Sequence, residues 1–170
     1  MIIEEENTTF SNKPFNPKKS IQRAKTRRAK KGVWTIKVVG KKYDWATKME
    51  RVAIIRKGLP YGSIEVISKK SDLSVKQILS LLGIPQTTYN KKKKEKDILS
   101  RRDSEIILVL SEVLEYGLQV FNEENDKFHR WLKKPNISLG GAAPEALFDS
   151  LTGIQEVRNS LNRLEYGNLA

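Results

Sequence analysis

The stretch Trp131–Ala170, WLKKPNISLGGAAPEALFDSLTGIQEVRNSLNRLEYGNLA, decides the fold. Its pattern predicts a short helix ending at Lys133 or Lys134, a loop broken by Pro135, Gly140 and Gly141, and two further helices. Pro144 suits the first turn of the first of these, where its missing N–H costs nothing. Thr152 followed three residues later by Gln155 has the form of a capping box for the second. Val157, Leu161 and Leu164 then share one helix face, and Gly167 ends the helix as a left-handed cap.

The particular residues say more than the pattern. Trp131-Leu132, Pro135-Asn136, the Leu139-Gly140-Gly141 turn, Pro144, Gly153 with Val157 four residues on, and Arg163-Leu164-Glu165-Tyr166-Gly167 follow in one order. That order resembles the C-terminal toxin-binding domain of the Xre/MbcA/ParS-type antitoxins, and the resemblance runs back to about Lys48. It implies an all-α protein, commonly homodimeric, made of an Xre-like helix-turn-helix domain and a small C-terminal toxin-binding domain. It further implies a partner toxin of the RES type, which destroys cellular NAD, neutralised when the antitoxin's C-terminal domain and chain end cover the toxin's active-site cleft.

Carried over residue by residue, the matching positions are Trp131, Asn136, Leu139, Gly140, Gly141, Pro144, Gly153, Val157, Arg163, Glu165, Tyr166 and Gly167. Trp131, Leu139, Pro144, Val157 and the glycines are expected to shape the domain. Arg163, Glu165 and Tyr166 can reach into a neighbour, and Arg and Tyr are enriched at binding hot spots. The plainer alternative for Arg163 and Glu165 is charge pairing across the last helix turn. The resemblance thus implies a toxin-binding set of Trp131, Asn136, Gly140, Gly141, Arg163, Glu165, Tyr166 and Gly167.

Working outward, Ser100 can cap a long helix from about Arg101 to Phe121. Its apolar residues (Ile106, Leu110, Val113, Leu114, Leu118, Phe121) are widened nearly all round by Ile107, Leu108, Val109 and Val120. Such a helix must be buried on several sides, in a core or a dimer interface. Asn122–Asp126 breaks it, and Lys127–Lys133 makes a short helix with Phe128, Trp131 and Leu132 inward.

Before it, Met49, Val52, Ala53 and Ile55 outline a helix that Gly58-Leu59-Pro60 ends, and Tyr61–Lys70 a second one with Ile64 and Ile67 on one side. Ser74 is a good N-cap for Val75–Leu82, Gly83 makes a turn, and a polar, basic helix begins near Pro85. Helix, glycine turn and basic helix together form a helix-turn-helix pattern. Ile84 and Tyr89 would pack inward. Gln86, Thr87, Thr88, Asn90, Lys91 and Lys92 would face DNA, since Gln and Asn can bond adenine bidentately and lysines neutralise phosphates. Leu79 stands where such units usually carry a small residue, which would widen the helix crossing. The plainer alternative is a helical hairpin with a solvated lysine run.

Net charge is +12 over 170 residues, yet between Asn7 and Tyr43 there are twelve Lys or Arg and no acid, so one segment carries the excess. This segment, polar and with Pro14 and Pro17, is expected to be disordered when free and suited to phosphate contact. Within it, Val33–Gly40 alternates as a short strand without a visible partner. The expected domains are a basic arm over 1–43, a helix-turn-helix domain over 44–98 and the C-terminal helical domain over 99–170.

With no cysteine there is no disulfide framework and no thiolate site. The start of the chain lacks a signal-peptide pattern and no apolar run spans a bilayer, so a cytoplasmic protein is expected. The lone His129 has no catalytic neighbour in sequence, neither the zinc-protease motif nor a phosphate-binding loop occurs, and no cofactor is implied. The reading is a binding protein whose partners are a toxin and operator DNA. The alternative is a stand-alone DNA-binding regulator without a toxin partner; an RNA-binding module ranks below both, for want of a stacking surface.

Overall fold

The computed structural model describes Lys18 and residues 33–167. The expected disorder of the basic arm falls, for most of its length, outside the described residues. Those described form a mostly helical fold with one two-stranded antiparallel sheet.

The lone strand foreseen at Val33–Gly40 has a partner. Strand β1 (Trp34–Val38) pairs with β2 (Lys41–Trp45) in a register running from Trp34 opposite Trp45 to Val38 opposite Lys41. The turn between them, Val39-Gly40, has positive φ at both residues (45° and 75°), the geometry that matches strand twist in a two-residue hairpin. Ile36, Val38 and Trp45 are buried, while the other face carries Lys37, Lys42 and Asp44. The boundary drawn at residue 43 falls inside this hairpin.

Helix α1 (Lys48–Lys57) starts at a full capping box, Thr47 with Glu50. Its expected inward Met49 is instead 71% exposed; Ile54 and Ile55 pack toward the core. Helix α2 (Ser63–Ser71) buries Ile64 and Ile67 as foreseen, and α3 (Val75–Leu82) begins at Ser74, boxed with Gln77. Gly83, at φ 70°, ends α3 in the left-handed region that glycine adopts without strain. Helix α4 (Gln86–Lys94) follows from Pro85.

Helix α5 (Arg101–Val120) is the central element of residues 33–167. Ser100 caps it by accepting from the Asp103 N–H, and Ile107, Leu108, Val113 and Leu114 are fully buried within one chain. It packs against α1, α2, β1, α6 (Asn125–Lys133) and α7 (Leu151–Tyr166). The Lys96–Arg102 connection is packed down rather than loose, since Leu99 is buried and its N–H donates to the Leu59 carbonyl at 2.7 Å.

One charged residue of α5 ties distant segments together. The buried Glu112 carboxylate accepts from the Trp45 indole N–H at 2.6 Å, from Arg51 at 2.8 Å and from Arg158 at 3.4 Å. Hairpin, α1 and α7 are thus joined on one carboxylate. A buried acid with several charged and N–H partners keeps its place only as a set, because removing one member strands the rest.

Between α6 and α7 lie two short 3₁₀ turns, Ile137–Leu139 and Pro144–Leu147. Pro144 opens the second, as expected of its position. The cap of α7 is a correction: Ser150, not Thr152, accepts from the Gly153 N–H, and no capping box with Gln155 forms. The buried stripe is shifted likewise. Ile154, Val157 and Leu161 are fully buried, whereas Leu164 is exposed as the helix outruns the core.

Candidate functional site

Two surfaces carry the residues singled out by the sequence. The first is α4. Tyr89 is its one buried side chain, and its ring lies 6.4 Å from that of Tyr61 while its hydroxyl donates to Glu65 at 3.2 Å. Lys93 binds the same Glu65 carboxylate and lies over the Tyr89 ring. The Lys93 hydrogen bond holds the Glu65 carboxyl below its ordinary value, and burial raises the Tyr89 phenol. Lys92 pairs with Asp97 at 2.5 Å, which lowers the Asp97 carboxyl and raises the Lys92 ammonium.

Two of the four consecutive lysines therefore anchor α4 to its surroundings. Gln86, Thr87, Asn90, Lys91 and Lys94 are exposed, and their spacing places them along one side of the helix. Gln86 donates to Asn90 at 3.0 Å, so the two amide side chains present a joined donor–acceptor edge. Thr88 and Lys92 are half-buried on the flank. Leu79 is buried, and its carbonyl accepts the Ile84 N–H as the chain turns into α4.

The second surface is built by α6, the loop after it and α7. Helix α5 meets α6 where Gly117 admits the Phe128 ring: a Cβ there would stand 2.3 Å from the ring. Trp131 stacks on Phe128 with centroids 6.2 Å apart and lies 5.7 Å from Phe121. It is half-buried and, with Phe121, Lys127, Arg130, Lys134, Pro135 and Asn136, lines a cleft of about 430 Å³. His129 is packed, its Nε2 3.2 Å from the Lys70 carbonyl oxygen.

Asn136 organises the loop. Its side-chain oxygen accepts from the Ser138 N–H at 3.0 Å and from the Ser138 hydroxyl at 2.9 Å. Its backbone closes the loop on Gly141 and Ala142. Gly140 and Gly141 take the positive φ values that this tight return needs. The loop is fastened to α7 by Ser138 and Ser160, whose hydroxyls lie 3.0 Å apart, and by Arg163, which donates to the Ser138 carbonyl at 3.5 Å.

The structure thus brings Trp131, Asn136, Gly140, Gly141 and Arg163 into one unit. Tyr166, 51% exposed, stands at the end of α7, where Glu165 is half-buried and Gly167 caps the helix at φ 68°. Ile137, which the sequence pattern does not single out, sits 96% exposed at the crest of the fastened loop. The available signal was an isolated apolar residue between Asn136 and Ser138, both turn-forming types.

Comparison with known proteins agrees with this division. Residues 50–110 match the family described as the Antitoxin Xre-like helix-turn-helix domain, and residues 117–167 match the Antitoxin Xre/MbcA/ParS C-terminal toxin-binding domain. The chain is 30% identical over 115 residues to Antitoxin Xre of Photorhabdus laumondii, covering 68% of this chain and 78% of that protein. It is 27% identical over 133 residues to a Prs ADP-ribosylating antitoxin of Sphingobium, covering 74% and 84%. It is 26% identical over 113 residues to Antitoxin Xre of Yersinia enterocolitica, covering 66% and 76%.

Proposed function

This chain belongs to the Xre family of antitoxins, and from that premise we propose that it neutralises a RES-type, NAD-degrading toxin by closing the toxin's active-site cleft. It is an antitoxin and not an enzyme, with a helix-turn-helix unit and a toxin-binding unit on one chain. The observation that carries the proposal is the loop Asn136–Gly141 pinned to α7. Ile137 stands out from it, and Arg163, Glu165 and Tyr166 follow along α7. A protruding apolar side chain on a loop already fixed by hydrogen bonds loses little freedom on docking. Trp131 and the glycines hold the shape of this unit; Ile137, Arg163 and Tyr166 make the contact. The name of the Sphingobium relative refers to ADP-ribosylation, whose transferred group derives from NAD, and this supports a partner that consumes NAD.

The second role is repression of its own operon. A homodimer places two α4 helices on operator half-sites about 34 Å apart, with Gln86 and Asn90 on base edges and Thr87 and Lys91 on the backbone; Thr88 and Lys92, expected there from the sequence, are drawn away, Lys92 by its pair with Asp97. Co-expression with the product of the adjacent reading frame tests the primary role. A stable complex and preserved NAD support it; truncation from Arg163 onward releases the toxin. If nothing co-purifies and NAD never falls, the toxin reading is lost and the helix-turn-helix is the whole function.

A further inference from the structure

We propose that the β1–β2 hairpin is a second DNA contact, its tip entering the minor groove beside the major groove that α4 reads. The proposal rests on the reading of α4 as a DNA-recognition helix and deepens it. The tip consists of Val39 with Lys37, Lys41 and Lys42 around it. It lies ahead of residue 50, outside both family matches.

Position is the first argument. Val38 and Val39 close on Gly62, where a Cβ would stand 3.3 and 3.4 Å from their methyl groups. Gly62 begins α2. One residue before it, Tyr61 faces Tyr89 of α4; three residues after it, Glu65 holds the Tyr89 hydroxyl and Lys93. The hairpin tip and α4 therefore pack against the same first turn of α2.

Chemistry is the second. Lys37 and Lys42 stand directly opposite each other across the strands, a pairing of like charges that a hairpin alone disfavours. Asp44 pairs with Lys42 at 2.9 Å, and Lys41 lies 5.1 Å above the Tyr43 ring. Three lysines against one carboxylate leave the tip positive, and in the sequence the basic run Lys13–Lys31 precedes β1.

Val39 is the decisive residue. It holds φ 45°, where a β-branched side chain is strained and Asn or Gly is the ordinary choice. It is also 92% exposed, so core burial does not explain it. A strained, exposed apolar side chain among lysines has the chemistry of a minor-groove wedge, with ammonium groups meeting the phosphates on either side.

The test uses the full chain, a labelled duplex from upstream of its own reading frame, and a scrambled duplex of equal length, titrated by fluorescence anisotropy over a salt series. Lys37→Ala/Lys41→Ala/Lys42→Ala makes the slope of log affinity against log salt shallower by about two to three, and the triple Lys→Arg variant restores it. Val39→Asn relieves the strained turn, so the melting temperature rises while affinity falls several-fold. A purely structural residue would move both the same way. If the native chain does not bind duplex, or Gln86→Ala/Asn90→Ala leaves discrimination unchanged, the α4 reading fails and takes this proposal with it. If that variant loses discrimination while the hairpin variants keep affinity and slope, the hairpin proposal alone is overturned.

Discussion

Helices α4 and α7 carry the two candidate surfaces, and different forces hold them. Helix α4 buries one side chain, Tyr89, and is otherwise moored by two surface ion pairs, Lys93 with Glu65 and Lys92 with Asp97. Helix α7 is fixed by Ile154, Val157 and Leu161 in the core, and by a close approach at Gly153, where a Cβ would stand 2.1 Å from the Leu147 carbonyl oxygen. Exposed ion pairs weaken with salt and contribute little each, whereas buried packing responds to neither salt nor modest pH change. The helix proposed to read bases is thus held mainly by salt-sensitive contacts, and the one proposed to present a loop to the toxin mainly by buried packing.

Breaking the shared anchor should have the largest effect and erase the contrast. Glu112→Ala strands Arg51, Arg158 and the Trp45 indole, and should cost about 3–5 kcal/mol, felt in both halves by chemical denaturation. Gly153→Ala should separate the halves. Forcing a methyl against the Leu147 carbonyl should cost about 3 kcal/mol and abolish toxin protection at concentrations where operator binding persists. Tyr89→Phe acts on the other side: losing the hydroxyl's bond to Glu65 should cost about 1 kcal/mol and weaken DNA binding while leaving toxin protection intact.

The smallest effect is one of pH, and its sign follows from the carboxyls. Glu65 and Asp97 are lowered in the folded state, chiefly by their lysine partners. Their stabilisation is complete above their unfolded values and is lost as pH falls through the folded ones. NMR signals of α4 should therefore shift and broaden below about pH 4.

The same contrast explains what could be read from the sequence. Local chemistry was legible: Ser74, Gly83, Ser100, Pro144 and Gly167 sit where their capping or turn preferences put them. The cap of α7 was misplaced by two residues because Ser150 and Thr152 are both good caps. With Ser150 as the cap, the Leu147 carbonyl passes close over Gly153 in the first turn. Strand β2 was not seen because its Lys-Lys-Tyr-Asp-Trp sequence buries only Trp45 fully and leaves lysines and an aspartate outside.

Long-range pairing was the least legible. Glu112 sits as a charge in an apolar run, and its partners lie 46 to 67 residues away. The lysine run of α4 looked uniform, yet Lys92 and Lys93 are committed to Asp97 and Glu65 while Lys91 and Lys94 are exposed. For the surface proposed to face the toxin, the family resemblance did not single out Ile137, whose exposure depends on how far the fastened loop holds it from the core.

The central claim is that toxin neutralisation belongs to the pinned loop and α7, separately from DNA reading by α4. Its most direct test is cellular NAD during co-expression of the adjacent reading frame with the native chain, with Ile137→Asp and with Gln86→Ala/Asn90→Ala. NAD should be preserved by the native chain and by the α4 variant, and should fall with Ile137→Asp despite undiminished folding. Preserved NAD with Ile137→Asp, or a fall with the α4 variant at equal protein level, would contradict it.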